Sequence, residues 1–233
     1  MNLSGRGAIV TGASLGIGLS VAEALIARGV RVAGLARDAG RLQKLSNRLG
    51  HEFLPLACDV GDLDQVERAI RSACEAFGTI DILINNAGVG RFGAVDELAK
   101  ERWDEMLATN VSGLFHCIRQ VVPIMKGQGR GHIVNIASIA GKVGYPNASG
   151  YNATKFAVRG LSEALANELG QFGIKVSAIY PGVTDTTFGS GRPGPEISSM
   201  RPEEIAEAAL HILDRSENFL ITEMVMRPLR RND

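Results

Sequence analysis

The chain has 233 residues, of which 45% are hydrophobic and 21% are charged, and its formal net charge is zero. This balance predicts one folded domain over residues 1–233 and gives no electrostatic reason to expect a nucleic-acid partner. The sequence shows no apolar run of the roughly 18 residues that span a membrane and no cationic, apolar leader, so we expect neither a membrane partner nor a signal peptide.

The cysteines indicate the compartment. Cys58, Cys74 and Cys117 are odd in number and have no C-x-x-C spacing. This pattern argues against a disulfide framework and against a zinc site, and it favours a reducing, cytoplasmic setting with no bound metal. The short basic run that begins at Arg227 is interpreted as a solvated tail or the edge of an interface.

A glycine-rich turn joins the first predicted strand to the first predicted helix. The apolar run Gly7 to Val10 predicts a buried strand, and T-G-A-S-L-G-I-G at Thr11 to Gly18 leads into a helical pattern. Such a turn presents free backbone N–H groups and a positive helix end to a pyrophosphate. Gly12, Gly16 and Gly18 would let phosphate and strand approach closely, although their spacing is not the standard G-x-G-x-x-G. A strand-to-helix corner without a ligand is the alternative.

The end of the second predicted strand, Val30 to Ala36, bears on which dinucleotide is expected. In a dinucleotide fold this end meets the adenosine ribose, where an acid suits the 2′-hydroxyl of NAD and an arginine suits the 2′-phosphate of NADP. Arg37 comes first, so NADP(H) is favoured over NAD(H). Asp38 follows directly and complicates this choice, and we interpret it as the N-cap of the next helix.

Polar residues end the next two predicted strands. The strand predicted over His51 to Val60 ends at Asp59 and its neighbour, and the strand predicted over Ile80 to Gly88 carries the amides Asn85 and Asn86. These amides have turn capping as their alternative role. Because the carboxyl ends of parallel strands share one edge of a sheet, we expect them beside the cofactor.

The rest of the chain continues this alternation. A stretch rich in Gly, Pro, Ser and Thr, from Pro181 to Pro195, indicates a mobile lid. Strands that alternate with helices throughout predict an α/β fold, a doubly wound parallel sheet of about seven strands with helices on both faces. The further elements predicted are helices from residue 62, over 100–126, 149–173 and 201–215, and strands over 131–138, 173–182 and 218–226.

Tyr151 and Lys155 carry the strongest chemical signal. They lie four residues apart in a predicted helix, which places the phenol and the ammonium on one face. A phenol with a reference pKa of about 10 is a poor proton donor at neutral pH, and a nearby fixed cation lowers that pKa. The pair therefore fits carbonyl reduction or alcohol oxidation. Taken alone, the same spacing more often marks a surface Tyr and Lys.

Together, these motifs resemble the short-chain dehydrogenase/reductase family over nearly the whole chain. The resemblance implies a single-domain Rossmann-type fold and an oxidoreductase that transfers hydride between a nicotinamide and a carbonyl or alcohol substrate. The features that carry it are T-G-A-S-L-G-I-G, Asp59-Val60, N-N-A-G from Asn85, Asn110, Ser138, Y-x-x-x-K from Tyr151 and Pro181-Gly182.

The resemblance also implies a role for each catalytic position. Ser138 would hydrogen-bond the substrate oxygen, and Tyr151 would exchange the proton as general acid or base. Lys155 would tune Tyr151 and hold the nicotinamide ribose, and Asn110 would anchor a water relay. A turn former at Ser138 and a helix-kink residue at Asn110 are the alternatives. The implied cofactor-binding set is Gly12, Ser14, Leu15, Gly16, Ile17, Gly18, Arg37, Asp59, Val60, Asn86, Ala87, Gly88, Tyr151, Lys155, Pro181, Gly182, Thr184 and Thr186.

The sequence also departs from many members of that family. Leu15 stands where many NADP-dependent members have a basic residue, which leaves Arg37 alone for the 2′-phosphate, and Thr184 replaces an aliphatic residue. The C-terminus lacks the D-G-G ending of ketoacyl carrier-protein reductases and looks more like the 3-hydroxy-acid and serine dehydrogenase subgroup. Members usually pair through the helices that hold Asn110 and Tyr151, so a homodimer or homotetramer is expected.

Two other functions stay open. One is a dinucleotide-sensing binding protein with incidental catalysis, against which the intact catalytic set argues. The other is an NAD-linked dehydrogenase. The sequence does not specify the substrate, although few aromatic residues and a short lid favour a small or open-mouthed pocket.

Overall fold

The computed structural model describes residues 3–186, 188 and 199–229, and its seven strands form one parallel sheet. The strands are β1 (Gly7–Thr11), β2 (Arg31–Ala36), β3 (Phe53–Ala57), β4 (Ile82–Asn85), β5 (Gly131–Ile136), β6 (Ile174–Pro181) and β7 (Glu223–Met226). Their order is β3-β2-β1-β4-β5-β6-β7. The chain thus builds outward from β1 to β3 and crosses back to β4, which opens a crevice between β1 and β4. The predicted fold class is confirmed.

Helices cover both faces of the sheet, as predicted. The helices are α1 (Gly16–Ile26), α2 (Ala39–Leu49), α3 (Leu63–Phe77), α4 (Lys100–Leu107), α5 (Gly113–Gln128), α6 (Ser149–Leu169) and α7 (Pro202–Leu213). Successive strand residues point to opposite faces. Ala8 and Val10 join the core under α1, α2 and α7, whereas Ile9 joins the core under α3, α5 and α6. Within the described ranges, no helix has both the length and the apolar character that crossing a membrane requires.

The helical stretch predicted over 100–126 is present, but it is not one regular α-helix. A π-helical turn at Ala108–Ser112 separates α4 from α5. The Asn110 side chain explains this turn, because its Oδ1 accepts from the Val89 N–H at 2.8 Å and its Nδ2 donates to Val89 O at 2.8 Å. The same Nδ2 donates to Thr154 Oγ1 at 3.0 Å. The widened turn directs Asn110 toward the loop after β4 and toward α6.

Three predicted strands are several residues too long, and the strand predicted over 80–88 is only β4. The strand predicted over 51–60 is only β3, because residues 50–52 form a 3-10 turn and the Asp59 carboxylate accepts from the Gly61 N–H at 2.9 Å, which ends the extended run. The strand predicted over 218–226 is only β7. The helix predicted over 149–173 ends at Leu169 and is followed by a 3-10 turn.

Candidate active site

A crevice of about 420 Å³ opens above the carboxyl ends of the strands, where the strand order reverses. The turns after six strands and one side of α6 form its walls. The predicted residues that line it are Gly12, Ser14, Leu15, Gly16, Ile17, Arg37, Asp59, Val60, Asn86, Ala87, Gly88, Ser138, Tyr151, Lys155, Pro181, Gly182, Thr184 and Thr186. The topology therefore brings together residues that span most of the chain.

Three expected residues stand apart from this lining. A Cβ at Gly18 would lie 2.3 Å from the carbonyl oxygen of Gly12, so Gly18 lets α1 pack against the turn. Asn110 is not in the lining and contacts the site indirectly, through its hydrogen bonds to Val89 and Thr154. Asn85 is buried, and its Nδ2 donates to Asn135 Oδ1 at 2.9 Å across the β4–β5 pair. The expectation that Asn85 faces the cofactor is therefore wrong, because a strand side chain alternates and this one points into the core.

The glycine turn fits a pyrophosphate. Gly12 has φ of 66°, in the left-handed region that favours glycine. Helix α1 follows at Gly16, and its N-cap residue, Leu15, has an extended backbone and makes no side-chain capping bond. The first N–H groups of α1 therefore lie at the crevice wall without a side-chain cap, which suits an anionic group.

Hydrogen bonds tie this turn to the neighbouring strand end. Asn86 Nδ2 donates to the carbonyl oxygens of Thr11 at 2.9 Å and Gly12 at 3.3 Å. The Thr11 hydroxyl accepts from the backbone N–H groups of Asn86 and Ala87, both at 2.9 Å. Thr11, which sequence reasoning treated only as the start of the motif, thus joins the β1 and β4 turns and keeps the crevice floor rigid.

The β2 end of the crevice carries two guanidinium groups. Arg37 and Arg41 both line it, beside Asp38. Asp38 is the N-cap of α2, as predicted, and its Oδ1 accepts from the Arg41 N–H at 2.8 Å. Sequence reasoning missed Arg41, although its place in the first turn of the helix that Asp38 caps could have indicated it. The Asp38 Oδ2 is also 3.8 Å from the Arg41 Nε, so this end of the crevice carries two guanidinium groups and one carboxylate, Asp38.

The reaction end holds Ser138, Tyr151 and Lys155, all on the same crevice. Ser138 follows β5, and its Oγ accepts from the Ala140 N–H at 3.1 Å, which fixes the hydroxyl oxygen at the wall. Tyr151 and Lys155 lie on one face of α6, and both are buried. The Lys155 Nζ is 5.8 Å from the centroid of the Tyr151 ring and donates to Ile136 O at 3.0 Å.

Burial changes the protonation of Lys155. Removal of the ammonium from water lowers its pKa from 10.5 to about 8. The side chain is still mostly a cation at pH 7, so its field favours ionisation of a neighbouring phenol. A lysine pKa near neutrality also allows this group to take part in proton transfer.

Aromatic and apolar side chains surround the Tyr151 ring. The Phe92 ring is 5.5 Å from it at 62°, and the Phe188 ring is 5.7 Å from it at 53°. Met106 and Val89 belong to the same cluster. Sequence reasoning missed both phenylalanines, because each lies in a loop where no periodic pattern marks an inward side chain.

The segment after β6 reaches across the crevice. A Cβ at Gly16 would lie 3.2 Å from the Thr186 methyl group, so these two residues are in contact range. Backbone bonds join Asp185 N–H to Met200 O at 2.8 Å and Met200 N–H to Val183 O at 2.9 Å. Of the lid predicted over Pro181 to Pro195, residues 187 and 189–195 lie outside the described residues.

Comparisons with known proteins agree with this geometry. The short chain dehydrogenase family model matches residues 6–193. A Staphylococcus saprophyticus protein named as an uncharacterised oxidoreductase is 35% identical, over 98% of this chain and 100% of the relative. An alcohol dehydrogenase from the archaeon Thermococcus sibiricus, solved with 5-hydroxy-NADP, is 30% identical with a TM-score of 0.90, over 98% of this chain and 99% of that one. A 3-ketoacyl-(acyl-carrier-protein) reductase from Brucella melitensis, solved with NADH, is 29% identical with a TM-score of 0.90, over 97% and 98%.

The doubly wound sheet and the glycine-lined crevice at its switch point define the class of dinucleotide-binding α/β proteins. Within that class, the chain belongs to the short-chain dehydrogenase/reductase family. It is accordingly an NAD(P)-dependent oxidoreductase that acts on CH–OH or C=O groups. The resemblance inferred from the sequence motifs is confirmed.

Proposed function

We propose that this protein transfers hydride between NADP(H) and a small carbonyl or alcohol substrate, with Tyr151 as general acid and base. The observation that carries the proposal is the buried Lys155 ammonium, 5.8 Å from the Tyr151 ring, on the crevice wall that also presents Ser138. A dinucleotide that follows the glycine turn and the strand ends would run toward this group.

The residues divide the chemistry among them. A bound nicotinamide supplies the hydride in reduction and accepts it in oxidation. The Ser138 hydroxyl donates to the substrate oxygen and stabilises the charge that develops there. Tyr151 passes its proton to that oxygen, and the Lys155 cation makes the resulting phenolate less costly. In the alcohol direction the phenolate takes the proton back.

Asn110 serves this site as a positioning residue. Both of its amide hydrogens are used, in bonds to Val89 O and Thr154 Oγ1, and its Oδ1 accepts from the Val89 N–H. These bonds hold the loop after β4 against α6. The Asn110 side chain therefore has little hydrogen-bonding capacity left for the water relay that the family resemblance implied.

Arg37 and Arg41 support the preference for NADP(H). A 2′-phosphate needs a cationic partner, and guanidinium groups pair well with phosphate oxygens. Two such groups line the β2 end of the crevice, beside the single carboxylate of Asp38, which caps α2 and lies 3.8 Å from the Arg41 Nε. With Arg41 on the same crevice wall, Arg37 would not hold the 2′-phosphate alone.

The test is NADPH and NADH consumption across a panel of aldehydes and ketones, with Tyr151→Phe and the control Tyr145→Phe. Tyr145 is 40% exposed and is not part of the crevice lining. We expect Tyr151→Phe to lose turnover by about a hundredfold or more while it keeps its affinity for NADPH, and Tyr145→Phe to stay within about twofold. Undiminished turnover in Tyr151→Phe would remove the tyrosine from the mechanism. Tight NADPH binding with no turnover on the whole panel would favour the sensor function.

We also propose a homodimer or homotetramer in a reducing, cytoplasmic compartment. Phe115 on α5 and Phe156 on α6 are 48% and 43% exposed, which supports pairing through these helices. The three free cysteines are consistent with a reducing compartment. Light scattering after size-exclusion chromatography measures the oligomeric state directly, and a monomer at micromolar concentration would contradict the assembly.

A further inference from the structure

We infer that the reaction end of the crevice selects carbonyl compounds with an uncharged apolar group beside the carbonyl, aryl groups above all, and that Phe188 contacts this group. The inference rests on the proposed function, because it concerns the substrate of the same site. It differs from what the C-terminal sequence suggested, which was a hydroxy acid or serine.

The position of Tyr151 determines where a substrate must lie. An oxygen that exchanges a proton with Tyr151 has to come within hydrogen-bond reach of the phenol. The group attached to the carbonyl then lies against the side chains around that phenol. Of the two rings that pack on Tyr151, Phe188 lines the crevice and is only half-buried. Phe92 packs on Tyr151 from outside the lining.

Packing and a hydrogen bond hold the two phenylalanine rings in place. A Cβ at Gly90 would lie 2.9 Å from Phe188 Cε1 and 3.1 Å from Phe92 Cε2, so both rings pack over a bare glycine. The Phe188 N–H also donates to Thr186 Oγ1 at 3.3 Å. A flat ring on the substrate would meet an existing ring surface, and aromatic pairs of this kind favour tilted or offset contact.

The charged side chains around this end of the crevice are already paired or lie elsewhere. Among the described lining residues, the guanidinium groups are those of Arg37 and Arg41, at the β2 end. Arg91, in the loop after β4, gives Nε and Nη2 to the two carboxylate oxygens of Glu105, each at 3.0 Å. Lys155 lies below Tyr151 and donates to Ile136 O. A substrate carboxylate beside Phe188 would therefore lose water without gaining a cation from these groups, which is costly.

The experiment compares benzaldehyde, propanal and succinic semialdehyde with saturating NADPH in wild type, Phe188→Ala and the control Phe172→Ala. Phe172 lies in the 3-10 turn between α6 and the start of β6, at the amino end of the strands, and is 37% exposed. We expect kcat/KM for benzaldehyde to exceed that for succinic semialdehyde by about tenfold or more in wild type. In Phe188→Ala, we expect the value for benzaldehyde to fall by about five- to tenfold and that for propanal to change by less than about twofold.

Unfolding temperature and NADPH affinity, measured for each variant, separate a loss of substrate contact from a loss of structure. A preference for succinic semialdehyde, or an equal loss on all three aldehydes in a folded Phe188→Ala protein, would overturn the substrate inference and leave the proposed function standing. Absence of turnover on these three aldehydes in wild type would overturn the substrate inference, and absence on the whole carbonyl panel would overturn the proposed function as well.

Discussion

A buried charge is stabilised at the amino end of the sheet and destabilised at the carboxyl end. At the amino end, the Asp81 carboxylate accepts from the Gly7 N–H at 3.2 Å, the Thr79 hydroxyl at 3.0 Å and the Arg130 guanidinium at 2.9 Å. Burial by itself raises the pKa of Asp81, and these three donors outweigh it, so the pKa lies below its ordinary value. At the carboxyl end, burial lowers the pKa of Lys155 to about 8.

Both pKa values are lowered, and yet their meanings are opposite. For an acid, a lowered pKa means that the fold stabilises the charged form, so Asp81 contributes stability above its unfolded pKa and loses it as the pH falls through the folded value. For a base, a lowered pKa means that the fold disfavours the charged form. Asp81 therefore supports the fold, whereas Lys155 costs stability at pH 7, which fits the catalytic role proposed for it.

The same contrast appears in the neutral groups. His132, at the amino end, is buried, and burial lowers its pKa to about 3, so it is neutral. The Ser177 hydroxyl donates to Ile221 O at 2.6 Å, so it accepts from the His132 Nε2–H at 2.9 Å. Polar groups at the amino end are thus paired with one another, whereas Ser138, Tyr151 and Lys155 line the open crevice.

The largest effect is expected from Lys155→Met, which should lower the activity and raise the stability. Turnover with a substrate from the panel should fall by roughly a hundredfold to a thousandfold, because the cation that favours the phenolate is gone. The free energy of unfolding at pH 7 should rise by roughly 1–2 kcal/mol, because no ammonium is desolvated. Steady-state kinetics and urea unfolding measure the two, with Lys44→Met on α2 as control.

The pH dependence sharpens this test. Between pH 8 and 10.5, the limits set by the folded and unfolded pKa values of Lys155, the unfolded wild type keeps a proton that the folded protein releases. The free energy of unfolding of the wild type should therefore rise relative to that of the variant as the pH rises through this window. A variant that is less stable than wild type at pH 7, or a gap that stays constant up to pH 10, would contradict the comparison.

Asp81→Ala should give the opposite pattern, with stability lost and the chemistry kept. Removal of the carboxylate leaves Arg130 and the Gly7 and Thr79 donors without their acceptor, and the expected loss is about 3 kcal/mol in the free energy of unfolding. Asp64→Ala, at an exposed position in α3, is the control. We expect kcat/KM at 20 °C to stay within about twofold, since the crevice lies at the other end of the strands. A destabilisation below about 0.5 kcal/mol would show that this cluster is not what stabilises the amino end.

The smallest effect is expected at the β2 end of the crevice. Arg37→Ala and Arg41→Ala should each raise the Kd for NADPH by about tenfold and leave that for NADH within about twofold, because each removes one charge-assisted partner of a 2′-phosphate. Fluorescence titration with both dinucleotides measures this preference. Arg48→Ala, on the same helix and paired with Glu23, controls for the loss of positive charge. An equal rise in the Kd for NADPH and NADH would contradict the proposed preference for NADP(H).

Local patterns predicted the architecture well. Short apolar runs that alternate with amphipathic helices define a parallel sheet, and all seven strands were placed by such runs. Since parallel strands bring their carboxyl ends to one edge, the residues at those ends were also correctly expected to gather, from Gly12 to Thr186. Strand and helix ends were less accurate, because a boundary such as that at Asp59 depends on a single side-chain bond.

The amino-acid sequence by itself determined the sheet, the glycine turn and the Tyr151–Lys155 pair, since each depends on residues close together along the chain. Only the tertiary structure decided the π turn at Asn110, the core position of Asn85, the second guanidinium at Arg41 and the phenylalanines around Tyr151. Those features depend on contacts between segments far apart in sequence, such as Asn110 with Val89 and Thr154. The energy of such a contact does not exist until the fold brings both partners to the same place.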